Sequence, residues 1–285
     1  MRYYCFGNIV NNLHCLFAAA RVTAKILTYS HVVGLTSVDD ELFVLLGRDN
    51  SNQVEVYSIN DYQLLGHLKL PGLEPHDSND MTSCVRQKCL YMSDFHNSCI
   101  QRYNLASSAI SKWPLPYKPC GLSVTANCNL LVTCRGEPNK LVELSADSGQ
   151  CVREIALQSD IVNPCHGVQL TTGQFVVCRG AGIHNLHRVC VVGDDGKVTR
   201  SYGGHRGSDV GQLNWPRHLA VDKESQFVFV ADEDNNKVVL LSPTLEFVRY
   251  VSEGLSYPRR LYLHQATRRL FVGRWWDSDA IVIQL

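Results

Sequence analysis

The sequence has no net charge and little that would attract a polyanion. Its 27 Lys and Arg residues are matched by 27 Asp and Glu residues in a chain of 285, so no overall field favours nucleic acid or an anionic membrane. It also has no apolar run of the roughly 18 to 20 residues that a membrane-spanning helix needs. We therefore expect a soluble, cytoplasmic domain with no membrane partner.

Signatures of enzymes and of metal sites are also missing. The sequence contains no Gly-x-Ser-x-Gly, no His-Glu-x-x-His and no Cys-x-x-Cys, which are motifs of common hydrolases, zinc peptidases and zinc modules. Neither catalysis nor a bound cofactor is expected on this basis. The 12 cysteines lack metal-ligand spacing, and several lie in apolar runs, where a free, buried thiol behaves as a small hydrophobe.

The N-terminal stretch MRYYCFGNIVNNLHCLFAAA differs in character from the rest of the chain. An early Arg, a short apolar run and an Ala triplet are loosely like a signal peptide, but Asn11, Asn12 and His14 interrupt the apolar segment. We favour an irregular tail, or the remnant of an upstream domain, over residues 1–21. One folded domain would then occupy residues 22–285, and a cleaved signal remains the alternative.

A repeat with a period near 44 residues organises that domain. Its marker is a Pro that opens an apolar strand, as in KPCGLSV at Pro119 and WPRHLAV at Pro216. The six units begin at residues 31, 75, 119, 164, 216 and 258. Within each unit a second apolar strand ends on a small residue followed by a charged one, and a weaker fourth strand closes the unit.

A polar residue opens the third strand of each unit, and Asn suits this place because it tolerates the left-handed backbone of a tight turn. These residues are Asn52, Asn97, Asn139, Asn185, Asn236 and Ser278. Four short strands in about 40 to 45 residues, repeated six times, predict an all-β fold, a six-bladed β-propeller of four-stranded blades. Because the last unit has only three strands, we predict that the strand at residues 23–30 completes the sixth blade and closes the ring.

One unit carries a family resemblance. Residues 203–241, GGHRGSDVGQLNWPRHLAVDKESQFVFVADEDNNKVVLL, resemble an NHL repeat, with its Gly-rich linker, Asn-x-Pro, Val-Ala-Asp strand end and Asn-Asn-basic turn. The other units are similar in outline only, so over residues 31–285 the resemblance is to an NHL or TolB-like architecture. It implies a substrate-binding domain like that of tripartite-motif (TRIM-NHL) ubiquitin ligases, or a propeller that binds single-stranded RNA. No zinc spacing of a RING or B-box is present, so ligase activity itself is not expected of these residues.

The charged residues that end the second strands would surround the channel on one face. They are Arg48, Asp94, Arg135, Arg179, Asp232 and Arg274. Four Arg and two Asp give this ring a charge of +2, and a guanidinium fork is well suited to holding a carboxylate or a phosphate. The alternative is that these side chains only satisfy backbone groups of the loops.

A second ring would lie where the innermost strands begin. Its members are His31, His76, Cys120, His166, Arg217 with His218, and Arg259 with Arg260. Histidines in equivalent places suggest a metal, and propeller lyases of peptide amidation, which are similar to NHL proteins, bind zinc in this way. Here a cysteine and the arginines interrupt the set, and Arg beside a cation is unfavourable, so we assign no metal ligands.

Three functional hypotheses follow. The first is a non-catalytic module that binds a protein or acidic peptide through its Arg-rich face, with Trp276 beside Arg274 as an aromatic anchor. Of the adjacent Trp275 and Trp276, one is expected to face solvent.

The second hypothesis is binding of single-stranded RNA, for which the last two blades supply a basic cluster. Its residues are Arg217, Arg259, Arg260, Arg268, Arg269 and Arg274. The third is a metal-dependent propeller lyase or hydrolase.

Overall fold

The computed structural model describes residues 20–47, 53–74, 76–180 and 186–285. They form six four-stranded antiparallel sheets, which confirms the prediction of an all-β, six-bladed propeller. Most of the predicted tail, residues 1–19, lies outside the described residues, as do Arg48, Asn52 and Asn185. The described helices are two 3-10 turns, Val85–Gln87 and Glu233–Asn235, and neither has the length or apolar character of a membrane span.

The first strand, β1 (Arg21–Leu27), precedes blade 1. Blade 1 comprises β2 (Val32–Val38), β3 (Glu41–Leu46), β4 (Gln53–Ser58) and β5 (Leu64–Lys69). Blade 2 comprises β6 (Met81–Cys84), β7 (Cys89–Asp94), β8 (Cys99–Asn104) and β9 (Ile110–Pro114). Blade 3 comprises β10 (Lys118–Val124), β11 (Leu130–Arg135), β12 (Lys140–Leu144) and β13 (Cys151–Ala156).

The second half of the chain follows the same pattern. Blade 4 comprises β14 (Pro164–Gln169), β15 (Phe175–Arg179), β16 (Leu186–Val192) and β17 (Val198–His205). Blade 5 comprises β18 (Pro216–Val221), β19 (Val228–Asp232), β20 (Lys237–Leu241) and β21 (Phe247–Glu253). Blade 6 comprises β22 (Pro258–His264), β23 (Arg269–Arg274) and β24 (Asp279–Gln284), and β1 pairs antiparallel with β24.

The core lies between the blades. Six apolar clusters each join two neighbouring sheets; Phe229 and Leu270 pack between blades 5 and 6, and Val44 and Phe271 between blades 1 and 6. The middle strands are buried on both faces, which is why they read as continuous apolar runs and not as alternating ones. The innermost strands pack in the order β2, β6, β10, β14, β18, β22 and back to β2, so they line the channel.

The turns bear out part of the Asn prediction. Asn236 has a left-handed backbone (φ 55°), and Ser278 has the same conformation at its equivalent place (φ 47°). In blade 2 the left-handed residue is Ser98 (φ 51°), one position after the predicted Asn97. The left-handed turn therefore recurs in these blades, but the position of the left-handed residue differs by one residue in blade 2.

Strand pairing corrects the predicted alignment of the units. The register places Leu35, Met81, Leu122 and Leu261 at equivalent positions of their inner strands. Blade 1 therefore starts one residue later than predicted. In blade 2 the predicted start, Pro75, lies outside the described residues, and β6 begins at Met81.

Candidate functional site

One position on the innermost strands faces the centre of the channel in every blade. It is the residue just before Leu35, Met81, Leu122 and their equivalents in the other blades. From blade 1 to blade 6 this position holds Gly34, Asp80, Gly121, His166, His218 and Arg260. The four polar members are buried. The prediction of four equivalent histidines is therefore wrong: His31 and His76 lie outside this ring, and Asp80 takes the place assigned to His76.

The four polar side chains form a cluster around Asp80. His218 Nε2 lies 3.2 Å from Asp80 Oδ2, and Arg260 Nε lies 3.6 Å from Asp80 Oδ1. The Leu122 amide also donates to Asp80 Oδ2, at 2.8 Å. Arg260 in turn donates to the carbonyl oxygens of Val33 (2.7 Å) and Asn79 (2.8 Å). We call these four side chains the central cluster; it ties blades 2, 4, 5 and 6 together across the axis.

The two histidines of the central cluster stack, with ring centroids 3.7 Å apart. His166 Nε2 lies 3.0 Å from the Leu122 carbonyl oxygen, which requires a proton on that nitrogen. The Leu261 amide donates to Nδ1 of His218 (3.3 Å), so in the neutral ring Nε2 of His218 carries the proton and donates to Asp80. Both rings are therefore neutral donors.

Burial and the buried charges set the ionisation of the cluster. Burial, and then the neighbouring His218, lower the pKa of His166 to about 3. Burial also lowers the pKa of His218. Burial by itself would raise the pKa of Asp80, but His218, Arg260 and His166 together hold it well below its usual range. Asp80 is thus ionised and balanced by Arg260, while the histidines stay uncharged.

Asp80, His166 and His218 bring three ligand-type atoms within 4.8 Å of one another. Nε2 is the ring nitrogen that lies near the Asp80 carboxylate, at 3.7 Å in His166 and 3.2 Å in His218, so a metal among the three residues would need its lone pair on both rings. Nδ1 of His166 has no hydrogen-bond partner among the described residues. In this structure those two nitrogens face acceptors, and Nδ1 of His218 already accepts an amide proton. The guanidinium of Arg260 beside the carboxylate adds a competing cation. The donor set fits a hydrogen-bonded centre and does not fit a divalent metal.

The channel ends in a narrow opening at the side where the innermost strands begin. It holds only about 10 Å³, roughly the space of one water. Its lining residues are Asp77, Ser78, Cys120, Arg135, Cys165, Arg217, Arg259 and Arg260. We call this opening the arginine mouth. Asp77 belongs to its lining, and Asp80 and Glu233 pair with three of the four arginines, so four guanidinium groups and three carboxylates leave a formal charge of +1.

Glu233 holds two of these arginines in place. Its carboxylate accepts from Arg217 Nε (2.6 Å) and from Arg259 Nη1 (2.9 Å), and it is buried. Each guanidinium also lies over an indole: Arg217 over Trp215 at 4.2 Å and Arg259 over Trp275 at 3.6 Å. Both guanidinium groups are thus held by a carboxylate and an indole, and Arg259 Nε has no partner among the described residues.

Arg135 reaches the mouth from the other side. By the strand register it lies one residue beyond the position of Arg274, which in blade 3 is held by Cys134. Its Nε donates to the Pro164 carbonyl oxygen at 3.2 Å, and Nη2 lies 3.7 Å from Cys165 Sγ. Because Arg135 lies one residue further along the chain than that position, its guanidinium group reaches the neighbouring blade, blade 4.

An aromatic surface adjoins Arg135. The guanidinium carbon lies 5.9 Å from the ring centroid of Phe95, and Lys118 Nζ lies 5.8 Å from the same ring. His76 stacks on Phe95 with centroids 4.4 Å apart. His76, predicted as a channel residue, is therefore part of this surface patch.

The predicted ring of strand-end charges does not converge on one site. Asp94 accepts from the Asn97 amide (3.1 Å), and Asp232 from the Asn214 amide (2.6 Å), so both carboxylates satisfy loop backbone. Burial raises the pKa of Asp232 to about 7. For both aspartates the alternative interpretation of the ring therefore holds: their side chains satisfy backbone groups of the loops.

Two of the predicted arginines also lie away from the mouth. Arg179 is 1% exposed and donates to the Asp160 carbonyl oxygen. Arg274 is held by two carboxylates, with Nε 2.6 Å from Asp279 and Nη1 2.9 Å from Asp277. Among the described members of the strand-end ring, Arg135 lines the arginine mouth; Arg217, Arg259 and Arg260 come from the second ring.

The tryptophan pair behaves as expected for adjacent residues on a strand end. Trp275 is buried beneath Arg259, whereas Trp276 is 60% exposed and meets the Tyr257 ring edge-on at 6.1 Å. Trp276 is thus an exposed aromatic side chain on the face that carries the arginine mouth.

The far end of the channel is wider and less charged. A cavity of about 200 Å³ narrows to His166 and His218 at its floor. Its walls combine apolar residues such as Leu219 and Leu261 with the hydroxyls of Thr36 and Ser83, which hydrogen-bond each other at 2.7 Å. The central cluster separates this funnel from the arginine mouth.

The comparisons bear on the fold alone. No family model matches the sequence, and no curated protein does. Among solved structures, the chain is similar to virginiamycin B lyase from Staphylococcus aureus, with a TM-score of 0.62 and 12% identity over 90% of this chain and 83% of that one. At that identity the likeness supports the propeller architecture and no more.

Proposed function

We propose that this propeller is a non-catalytic binding module that recognises an acidic segment of a partner protein at the arginine mouth. The observation that carries the proposal is the convergence of Arg135, Arg217 and Arg259 on one opening, with a surplus of positive charge. Guanidinium groups held over Trp215 and Trp275 are already ordered, so little side-chain entropy is lost when they bind a carboxylate.

The size of the opening limits how a ligand would bind. A space of about 10 Å³ admits no peptide chain into the channel. An Asp or Glu side chain would therefore sit across the opening with its oxygens toward Arg135 and Arg217, while the peptide lies on the surrounding face. Phe95 and the exposed Trp276 flank that face and supply apolar contacts of the kind enriched at interface hot spots.

The NHL-like unit at residues 203–241 contributes to this proposal directly. It contains Arg217, which lines the mouth, and Trp215 and Glu233, which hold Arg217 in place. A role like that of the substrate-binding end of a TRIM-NHL ubiquitin ligase follows from the resemblance, with a protein as the partner and a cytoplasmic site of action.

A second candidate, single-stranded RNA binding, is favoured by one observation. Trp276 and Tyr257 are exposed side by side and could stack with bases. Against it, Arg268 pairs with Asp222 at 2.7 Å and Arg274 with Asp279 at 2.5 Å, so part of the basic cluster is already neutralised. Lyase chemistry, which the structural neighbour suggests, lacks support from the central cluster, whose histidine protons are committed to internal acceptors.

The test is binding of residues 20–285 to an array of acidic peptides and to single-stranded RNA, at two salt concentrations. We expect an acidic peptide to bind the wild type and to lose at least about tenfold in affinity with the Arg135→Gln, Arg217→Gln double variant. Arg200→Gln, an exposed arginine on β17, is the matched control and should bind as the wild type does.

Other outcomes would decide against the proposal. RNA binding that falls steeply with salt, with no peptide bound, would replace it by the second candidate. Equal peptide binding by the wild type and the double variant would show that the arginine mouth is not the site.

A further inference from the structure

We propose that Cys165 and Cys120 form a peroxide-sensitive thiol pair inside the arginine mouth, with Cys165 as the thiol that reacts first. The inference concerns the chemistry of the mouth itself and does not depend on the identity of a binding partner. Both thiols line the same small opening. They occupy equivalent positions on neighbouring inner strands, each directly after the Pro that opens its strand.

Two guanidinium groups face Cys165. Arg135 Nη2 lies 3.7 Å from its sulfur, and Arg217 lines the same opening. A thiolate at this point would be stabilised by both charges, as in reactive cysteines beside Arg or Lys. The mouth also contains Arg259, whose side chain is 5% exposed and whose Nε has no hydrogen-bond partner among the described residues. This N–H group is available to donate to an anion.

The pKa of the Cys165 thiol is shifted in the opposite direction from those of three other buried thiols, Cys120, Cys178 and Cys190. Burial would raise the pKa of Cys165, but Arg135 and then Arg217 bring it below that of an ordinary thiol. Burial raises the pKa of Cys120 to about 12 and that of Cys190 to about 11. Burial also raises the pKa of Cys178 well above its ordinary value.

The backbones of the two cysteine-bearing strands are in contact. Gly121 follows Cys120 in β10, and a Cβ placed on it would lie 2.5 Å from the Cys165 carbonyl oxygen and 2.6 Å from the His166 Cα. β10 and β14 therefore touch at this level. Cys120 and Cys165 thus lie on touching strands and line the same opening, and we infer that a disulfide can join them.

The opening selects the oxidant by size. A volume of about 10 Å³, roughly the space of one water, excludes bulky reagents, so we infer that an oxidant of Cys165 is a small molecule such as hydrogen peroxide. Cys151 is exposed on β13, and burial raises the pKa of its thiol. Large electrophiles should therefore label Cys151, whereas hydrogen peroxide should oxidise Cys165.

The chemistry needs one equivalent of peroxide. The Cys165 thiolate attacks one peroxide oxygen, the O–O bond breaks, and the departing hydroxide takes a proton to become water, which leaves Cys165 as the sulfenic acid. The Cys120 sulfur then attacks the Cys165 sulfur, the S–O bond breaks, and the hydroxyl leaves as water with the Cys120 proton. Two thiols are oxidised by two electrons, and peroxide is reduced to two waters.

The experiment exposes the folded protein to hydrogen peroxide and follows each cysteine by differential alkylation after denaturation, with mass spectrometry of the peptides. We expect Cys165 to be lost faster than Cys178 or Cys190 and to appear in a peptide disulfide-linked to Cys120. In Cys120→Ser, Cys165 should instead accumulate as sulfinic acid, because its resolving partner is missing.

Arg135→Gln should slow the loss of Cys165 by at least about threefold, with Arg200→Gln as the charge-matched control. Should Arg135→Gln fail to fold, the pH profile of the wild type decides: between pH 8 and pH 6 the rate at Cys165 should fall less than the about hundredfold expected of an ordinary thiol. Loss of Cys165 no faster than that of Cys178 would overturn the proposal, as would a full hundredfold fall.

Discussion

Asp80 and His218 lie 138 positions apart in the chain, yet the carboxylate of one is 3.2 Å from Nε2 of the other at the centre of the propeller. Arg260 neutralises the same carboxylate from blade 6. A buried charge pair contributes little when intact compared with apolar packing, but removing one member leaves an unpaired charge in a dry site. The central cluster therefore fixes how blades 2, 5 and 6 meet.

Asp80→Asn should lower the free energy of unfolding by about 3 to 5 kcal/mol, because the guanidinium of Arg260 would lose its counter-charge. Denaturant unfolding followed by tryptophan fluorescence measures this. Asp39→Asn is the matched control: Asp39 pairs with Lys88 at the surface, and its loss should cost less than about 1 kcal/mol. Similar losses in both variants would show that the central cluster is not a buried ion pair.

The titration of His166 gives a pH-dependent prediction. Its pKa is about 3 in the folded protein and about 6.5 in the unfolded chain. Between those values the unfolded chain binds a proton that the folded protein does not, so stability is full above pH 6.5 and falls as the pH decreases, by about 1.4 kcal/mol per pH unit.

His166→Gln tests this, since an amide N–H can still donate to Leu122 while the titration is removed. Its unfolding free energy should decline less than that of the wild type between pH 6.5 and pH 4. Asp232, whose pKa is raised to about 7, makes the folded protein more stable as the pH falls. Because this contribution is the same in the wild type and the variant, it cancels when their unfolding free energies are compared. Parallel curves would mean that His166 is already charged in the folded state.

Two glycines give a steric prediction. A Cβ on Gly121 would meet the backbone of β14 at 2.5 Å, whereas a Cβ on Gly66, in the outer strand β5, would meet nothing within 4 Å. Gly121→Ala should therefore destabilise the protein by about 2 kcal/mol or more, as overpacked sites do. Gly66→Ala should change stability by less than about 1 kcal/mol. Thermal unfolding of both variants checks the contrast, and equal midpoints would contradict the close approach of β10 and β14.

The fold could be predicted because each blade repeats local signals. Pro119, Pro164, Pro216 and Pro258 each stand at or next to the start of an innermost strand, and the apolar runs between them are long enough to be strands buried on both faces. In blade 2 the signal was misplaced, since Pro75 precedes Met81, where β6 begins, by six positions in the sequence. The predicted alignment therefore chose His76 and missed Asp80.

The site was less predictable because it depends on register and on partners distant in sequence. A shift of one residue separates Arg135, which lines the mouth, from Arg274, which is held by Asp279. The role of Glu233 depends on Arg259, which lies 26 positions later. The Asn-x-Pro and Val-Ala-Asp motifs predicted the blade that contains Glu233, but they contain no information about its contacts across the mouth.

Ligand binding and thiol chemistry should compete, if both proposals hold. A carboxylate bound between Arg135 and Arg217 would take over the charges that stabilise the Cys165 thiolate. A saturating acidic peptide should therefore slow peroxide oxidation of Cys165 by about threefold or more, with oxidation of Cys151 unchanged as the internal control. An unchanged rate at Cys165 would place the peptide away from the mouth.

The central claim is that the arginine mouth binds an acidic side chain. Its most direct test is the dissociation constant of one acidic peptide, taken from the array, for the wild type and for the Arg135→Gln, Arg217→Gln double variant, measured by fluorescence anisotropy at fixed salt. We expect at least about a tenfold weakening in the double variant and none in Arg200→Gln. Equal affinities in all three proteins would contradict the claim.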